Sequence, residues 1–129
     1  MTDVAADRSQ FFWDFTMPFF GYNRPGAKVS EGVRAQFRRK ALLGGLKSQY
    51  DCIRAFSETD QTEDLKAVRI PTLVLHGEDD QIVPIADSGA LQAKLMAGAR
   101  FTVIAGAPHG MPVTHAREVN QAILEFVRG

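Results

Sequence analysis

The sequence is poor in cysteine, in net charge and in long apolar runs. Cys52 is the only cysteine among 129 residues, so no internal disulfide can form and no cysteine cluster can bind zinc. Fifteen basic residues balance fifteen acidic ones, which removes the general electrostatic attraction to nucleic acid or to an anionic membrane surface. No apolar segment approaches the roughly 20 residues that a membrane-spanning helix needs, and the polar start does not resemble a signal peptide. These absences predict a cytoplasmic protein that binds a small neutral molecule or another protein.

Aromatic residues are concentrated near the start of the chain. Five of the nine phenylalanines and the only tryptophan lie in FFWDFTMPFF, residues 11–20. This density of aromatic side chains requires a covering surface, because their exposure to water is unfavourable. The segment can serve packing, the entrance to a substrate site, or both. Glycine and proline mark residues 21–30 as a loop.

A helical period follows the aromatic segment. Val33, Phe37 and Ala41 recur every four residues, while Arg34 and the next arginines lie on other sides, as in an amphipathic helix. A glycine pair ends this helix, and the helical spacing resumes over residues 46–56. The pattern predicts three helices and no strand in residues 1–60.

The second half of the chain has a different pattern. Residues 72–75 and 101–104 are short continuous apolar runs, which are typical of strands buried on both faces of a parallel sheet. Residues 88–96 have a helical composition, and an apolar stripe over residues 119–127 predicts a terminal helix. The pattern of residues 61–129 therefore predicts a βαβα unit, and the pattern of the whole chain predicts an α/β fold.

Two polar side chains fall where the predicted strands end. Asp80 follows the first strand, with Val83 and Pro84 stiffening its loop, and His109 follows the second strand between a proline and a glycine. Functional groups of open α/β sheets gather at the carboxyl ends of strands, and adjacent strands lie about 4.8 Å apart. An aspartate bonded to one imidazole nitrogen would leave the other nitrogen to act as a general base. The sequence predicts Asp80 and His109 as a catalytic pair.

Other readings of these residues remain open. The Glu78–Asp80 cluster can be an acidic turn, or can bind a hard cation, although it lacks the ligand spacing of a calcium site. His109 alone can be a turn residue. His76 and His115 have no carboxylate placed by a similar argument, so we expect structural roles for both.

The motifs resemble a known enzyme family. PTLVLHGEDDQIVP, GAPHGMPVTH and the terminal helix resemble the C-terminal part of α/β-hydrolase-fold enzymes, and more narrowly the cofactor-free bacterial haloperoxidases. These enzymes are also called non-haem chloroperoxidases or bromoperoxidases, and are related to aryl esterases and perhydrolases. DRSQFF, PFFGYNRPGAK and YDCIRAFSETDQTEDL resemble the cap helices and the following segment of the same group. Residues 1–60 are thereby expected to form a helical cap segment, and residues 61–129 part of the hydrolase core.

The resemblance implies a mechanism with no haem, metal or other cofactor. Asp80 matches the acid of a Ser-His-Asp triad, because it stands three residues before the Val-Pro pair, whereas Asp79 does not match; His109 matches the base. The complete enzyme would form an acyl-enzyme from a carboxylic ester, or use a carboxylic acid with hydrogen peroxide to make a peracid that oxidises halide.

The sequence departs from the family pattern at the nucleophile. It contains no G-x-S-x-G, and its five serines stand in other contexts. Cys52 lies within a helical pattern, without an exposed elbow or a helix N-terminus to activate its thiol, so it is a poor substitute. We expect the nucleophile to belong to an N-terminal half outside these residues, and the chain alone to be inactive. The alternatives are a non-catalytic half-enzyme, natural or engineered, that acts through self-association or a partner chain, and a small helical binding module that uses the aromatic segment.

Overall fold

The chain folds into helices that precede and flank a pair of parallel strands. The computed structural model describes residues 2–129, with side chains from residue 4 onward. In chain order the elements are α1 (Thr2–Ala6), α2 (Arg8–Phe19), α3 (Glu31–Leu43), α4 (Leu46–Glu58), α5 (Thr62–Ala67), β1 (Leu73–Gly77), α6 (Gly89–Leu95), β2 (Arg100–Ile104), α7 (Met111–Thr114) and α8 (Ala116–Arg128). The predicted α/β fold is confirmed, and the predicted helical front section contains four helices where three were expected. The proposed boundary at residue 60 stays a prediction.

The two strands pair in parallel, in register from Leu73 with Arg100 to Gly77 with Ile104. Both strands are slightly longer than the apolar runs that predicted them. Side chains alternate between the faces of a sheet, so Leu75 and Ile104 share one face, where they pack with Val119 of α8. Helix α6 packs on the opposite face. The expected burial on both faces is only partly observed, because Phe101 and Val103 of β2 are 36% and 42% exposed.

The aromatic segment is covered mainly by α3. Asp7 begins α2, because its side chain accepts a hydrogen bond from the Gln10 backbone N–H at 2.9 Å. The Phe19 ring lies 4.8 Å from the Phe37 ring of α3, and the Phe15 ring lies 6.3 Å from the same partner, centroid to centroid. Such distances are typical of aromatic packing. Packing against α3 is thus observed for Phe15 and Phe19, while Phe20 is the only aromatic residue of the segment that is buried.

Arg34 is a correction to the amphipathic interpretation of α3. The sequence pattern places this residue away from the apolar side, yet only 3% of it is exposed. Its guanidinium lies between the rings of Trp13 and Tyr22, 4.3 Å from each centroid, and its Nε donates to Thr16 Oγ1 at 2.7 Å. Aromatic faces attract a weakly hydrated planar cation, which explains how an arginine is buried here. Among the residues with described side chains, no carboxylate forms an ion pair with Arg34.

Several apolar surfaces remain uncovered. Helix α4 matches the predicted helix at 46–56, but no residue of it is buried, and Phe56 is 76% exposed. In α8 the predicted stripe buries Val119 and Ala122, whereas Ile123 and Val127 are exposed. Within residues 2–129, β1 and β2 pair only with each other, so each keeps one unpaired edge. No helix in this range is long and apolar enough to cross a membrane.

Replacing Arg34 by methionine should destabilise the protein. Methionine keeps apolar bulk between the two rings, but it loses the cation–π attraction and the bond to Thr16. We expect the free energy of unfolding to fall by about 2 kcal/mol. Arg39→Met, on an exposed position of the same helix, is the matched control and should change stability by less than about 0.5 kcal/mol. Urea unfolding measures both, and equal stabilities for the two variants would contradict the role of the buried cation.

Candidate active site

The loops that follow the two strands are bonded to each other. The Glu78 backbone N–H donates to the Ile104 carbonyl, and the Asp79 N–H donates to the Ala107 carbonyl, both at 3.0 Å. The Glu78 carboxylate accepts from the Gly106 N–H at 2.8 Å. These bonds extend the pairing of the strands into the loops. They bring the loop that carries Asp80 against the loop that carries His109.

The strand end can approach the second loop this closely because residue 77 is glycine. A Cβ atom on Gly77 would overlap the Ala107 carbonyl oxygen and would lie 2.8 Å from the Pro108 carbonyl oxygen. Both atoms belong to the backbone, so neither can move aside as a flexible side chain would. Glycine is used where two backbones approach closely.

Asp80 and His109 form a hydrogen-bonded pair. Asp80 Oδ2 lies 2.8 Å from His109 Nδ1, and Asp80 Oδ1 accepts from the backbone N–H groups of Ile82 and Val83 at 2.9 Å. A carboxylate can only accept, so Nδ1 carries the proton, and in the neutral ring Nε2 holds a free lone pair. No described residue forms a hydrogen bond with Nε2. The pair predicted from sequence is therefore brought together in the geometry of an oriented base.

The surroundings keep Asp80 ionised. Its side chain is only 5% exposed, and this burial by itself would raise the pKa of the carboxyl. The hydrogen bonds from Val83, His109 and Ile82 together outweigh the burial, so the pKa of Asp80 lies below its ordinary value. Asp80 is thus a carboxylate at neutral pH, which the orientation of an imidazole requires.

The helical front section contacts the base directly. The Phe19 ring meets the His109 ring edge-on at 5.0 Å, and the Gly110 N–H donates to the Phe19 carbonyl at 2.7 Å. A Cβ on Gly110 would lie 2.5 Å from the Phe20 ring, so this contact also depends on a glycine. The end of α2 therefore helps to hold the histidine loop.

The loop over residues 21–30 contacts the loop that carries Asp80. It does so through an ion pair that the spacing of residues in the sequence did not predict. Arg24 donates to both carboxylate oxygens of Asp79, at 2.7 and 2.8 Å, and Asn23 and Gln81 bond reciprocally. The hydrogen bond from Arg24 lowers the pKa of Asp79. The Asp79 carboxylate binds Arg24 and not His109, as expected if Asp79 is not the triad acid. The two members of the ion pair are 55 residues apart, so no local pattern indicates it.

His76 corrects one expectation from the sequence. It was expected to have no carboxylate partner, yet its Nε2 lies 2.9 Å from the Val83 carbonyl oxygen and 3.4 Å from Asp80 Oδ2. His115 instead bonds through Nδ1 to Thr114 Oγ1 at 2.9 Å. Burial, and then the nearby charge of Lys28, lower the pKa of His115. His115 has no contact with the Asp80–His109 pair.

The hydroxyl and thiol groups of the chain lie elsewhere. Ser9 accepts from Arg38, Ser30 caps α3, and Ser57 and Ser88 donate to carbonyls of their own segments. Cys52 is exposed on α4. No serine or cysteine in the described part of the chain forms a hydrogen bond with His109.

The acidic cluster is divided among different partners. Glu78 accepts from Gly106, Asp79 pairs with Arg24, and Asp80 pairs with His109. Within the range that the structure describes, no group of three histidine, cysteine or acidic residues is arranged to hold a metal ion.

The fold is that of the α/β hydrolases. A bromoperoxidase from Bacillus anthracis matches 99% of the chain with a TM-score of 0.95 and 38% sequence identity, while the match covers 46% of that protein. An esterase from Exiguobacterium antarcticum, 20% identical, has the same fold with a TM-score of 0.88. No protein-family model matches the sequence.

Two relatives extend this likeness to sequence. A bifunctional esterase/perhydrolase from Acinetobacter calcoaceticus is 50% identical over 123 residues, which are 95% of this chain and 45% of the relative. A non-heme chloroperoxidase from Burkholderia pyrrocinia is 50% identical over 126 residues, 97% of this chain and 45% of that protein. The chain belongs to this family of non-heme haloperoxidases and esterase/perhydrolases with the α/β-hydrolase fold. It spans about half the length of these relatives and corresponds to their C-terminal half.

Gly77→Ala should destabilise the site and the sheet together, because the added methyl group would overlap the Ala107 carbonyl. We expect a loss of about 3 kcal/mol in the free energy of unfolding. The matched control is Gly32→Ala, whose Cβ would meet only Ser30 Oγ at 3.6 Å in α3. That change should be neutral or stabilise by up to about 1 kcal/mol. A Gly77→Ala protein as stable as Gly32→Ala in urea unfolding would contradict the close approach.

The lowered pKa of Asp80 should make stability depend on pH. A carboxyl whose pKa is lower in the folded state stabilises the fold above its unfolded pKa of about 3.9, and this contribution is lost as pH falls through the folded pKa. We expect Asp80→Asn to flatten the fall in unfolding free energy below about pH 5. The exposed Asp64→Asn should keep the wild-type slope. Urea unfolding from pH 3 to 7, at intervals of about one unit, makes the comparison. Parallel curves for wild type and Asp80→Asn would exclude the proposed ionisation.

Proposed function

We propose that this chain supplies the acid and the base of a Ser-His-Asp triad that acts on carboxylic esters. The observation that carries the proposal is the 2.8 Å bond between Asp80 Oδ2 and His109 Nδ1, with Nε2 left without a partner in the described residues. The names of the relatives support the substrate class, since they include an esterase/perhydrolase and non-heme chloroperoxidases. Asp80 holds the tautomer, and His109 Nε2 accepts the proton of the nucleophile.

The reaction then proceeds through an acyl-enzyme. The serine oxygen attacks the ester carbonyl while its proton moves to His109 Nε2, and the alcohol leaves with that proton. Water next attacks the acyl group and gives a proton to Nε2, which passes it to the departing serine oxygen as the carboxylic acid is released. When hydrogen peroxide takes the place of water, the product is a peracid, which can oxidise halide. None of these steps requires a cofactor.

The nucleophile in this proposal comes from outside the 129 residues. The sequence contains no G-x-S-x-G, and none of the described serines bonds to His109. The relatives are about twice as long as the part that this chain matches. The proposed source is a segment that corresponds to the other half of such a protein. The chain alone would then lack both the serine and the oxyanion donors that accompany it, and would be inactive.

The uncovered surfaces support association with such a segment. The free edge of the β1–β2 sheet presents unpaired backbone groups, and Ile123 and Val127 of α8 expose apolar surface. An added strand with its helix would satisfy both features. A second copy of this chain could cover the same surfaces, as a homo-oligomer, but it would bring no serine elbow.

The proposed role of residues 1–60 is that of a cap over this site. The edge-on contact of Phe19 with His109 supports it, because it places an aromatic side chain from α2 against the base. The bond from Gly110 to Phe19 and the pair of Arg24 with Asp79 attach the cap to both catalytic loops. An apolar ester entering beside His109 would meet the Phe19 ring.

Activity should appear only when the chain is combined with a homologous N-terminal half that carries G-x-S-x-G. With an aryl acetate as substrate, we expect no turnover from the chain alone and measurable turnover from the co-expressed pair. Asp80→Asn and His109→Ala should each lower kcat/KM of the pair by about 10³-fold or more. Asp79→Asn is the matched control, because it removes only a half-exposed ion pair, and should cost about fivefold at most.

Two results would contradict the proposal. The first is hydrolysis by the purified chain that survives His109→Ala, because another group would then do the chemistry. The second is an active pair in which Asp79→Asn costs more than Asp80→Asn, since the acid would then be assigned to the wrong residue.

A further inference from the structure

His76 lies behind the catalytic pair, on the face of the sheet that packs against α6. Its side chain is 11% exposed. Its Nε2 is 2.9 Å from the Val83 carbonyl oxygen, and the same nitrogen is 3.4 Å from Asp80 Oδ2. A second imidazole therefore lies beside the carboxylate that orients His109.

The partner of His76 determines which nitrogen carries its proton. A backbone carbonyl can only accept a hydrogen bond, so His76 Nε2 must donate to Val83. The same nitrogen lies 3.4 Å from Asp80 Oδ2, but its hydrogen bond goes to the Val83 carbonyl. His76 therefore acts on Asp80 through the turn that Val83 belongs to.

The bond to Val83 reaches Asp80 through the backbone. The Val83 N–H donates to Asp80 Oδ1, while the Val83 carbonyl accepts from His76. The 80–83 turn is therefore closed by its own aspartate and fixed at Val83 by a side chain from β1. With Oδ1 occupied in this turn, Oδ2 is the oxygen that faces His109.

The other side of the His76 ring is confined by the start of α6. A Cβ atom on Gly89 would lie 2.5 Å from His76 Nδ1 and 3.0 Å from its Cγ. The absence of a side chain at residue 89 allows the helix to pack against the ring. The ring is thus held between the turn and the helix.

From this geometry we propose that His76 is a positioning residue for the Asp80–His109 pair, acting through Val83. The expected effect of His76 on turnover rests on the proposed function. It does not make His76 a catalytic residue, because the imidazole does not reach the reacting atoms. His76 keeps the loop that carries Asp80 in the arrangement in which Asp80 Oδ2 faces His109.

Two substitutions at this position separate the donor from the packing. His76→Gln places an N–H donor close to where Nε2 lies, whereas His76→Met has similar length and no donor. In the co-expressed pair we expect His76→Met to lower kcat about tenfold, the loss of one hydrogen bond beside a charged group, with KM within about twofold. His76→Gln should recover most of the lost kcat. His115→Gln, at a histidine away from the pair, should leave kcat unchanged.

A second measurement uses the chain alone and needs no turnover. The proton on His109 Nδ1 should give a slowly exchanging imidazole signal by NMR in wild type and in His76→Gln, and this signal should be lost in His76→Met. Gly89→Ala provides an independent test if His76→Met does not fold. Alanine favours the helix more than glycine does, but its Cβ would push the ring aside, so the same signal should weaken.

The outcomes separate this proposal from the one on which it rests. An inactive wild-type pair would overturn the proposed function, and the His109 signal would still decide the role of His76. A signal and a kcat that are unchanged in His76→Met would overturn the positioning role. Equal losses for His76→Gln and His76→Met would also overturn it, because ring packing rather than the donor would then be responsible.

Discussion

The close approach of the end of β1 to the loop after β2 is the constraint on which the site depends. At Gly77 the two backbones are so near that any side chain would overlap the Ala107 carbonyl. This contact is made by backbone atoms, which have no alternative rotamers. The register of the strands therefore fixes the positions of the two loops. The 2.8 Å bond between Asp80 and His109 is then a consequence of strand pairing. A pair of side chains held in this way is positioned as accurately as the sheet itself.

The helical front section depends on the same strand ends for its attachment. Its contacts with the second half include the bond from Gly110 to Phe19, the pair of Arg24 with Asp79, and the reciprocal bonds of Asn23 with Gln81. All of these reach loops that follow β1 or β2. Inside the front section, the buried Arg34 holds α2 against α3 through Thr16. The end of α2 thus connects this packing to His109, because Phe19 contacts the His109 ring and accepts a hydrogen bond from Gly110.

The elements with a strong period were predictable from the sequence, and so was the proximity of Asp80 and His109. The apolar runs at 72–75 and 101–104 located both strands, and the rule that functional groups follow parallel strands located Asp80 and His109. The burial of Arg34 was not predictable, because period alone treats an arginine as polar and cannot detect two aromatic rings from other parts of the chain. The Asp79–Arg24 pair was missed for a similar reason, since its members are far apart in sequence. The proximity of His76 to Asp80 was not predicted, because it depends on how the chain turns back after β1.

The Asp80–His109 pair is hydrogen-bonded but only half enclosed. Asp80 is 5% exposed, whereas the side chain of His109 is 36% exposed. Water beside His109 weakens its attraction to the carboxylate, because an effective dielectric near that of water reduces a charge interaction several-fold relative to a protein interior. A segment that covers the free sheet edge and the apolar stripe of α8 would also remove water from around this site, to the extent that it reaches over the strand ends. Covering these surfaces would therefore have two effects. It would stabilise the fold by burying apolar surface, and it would strengthen the Asp80–His109 interaction by removing water from around it.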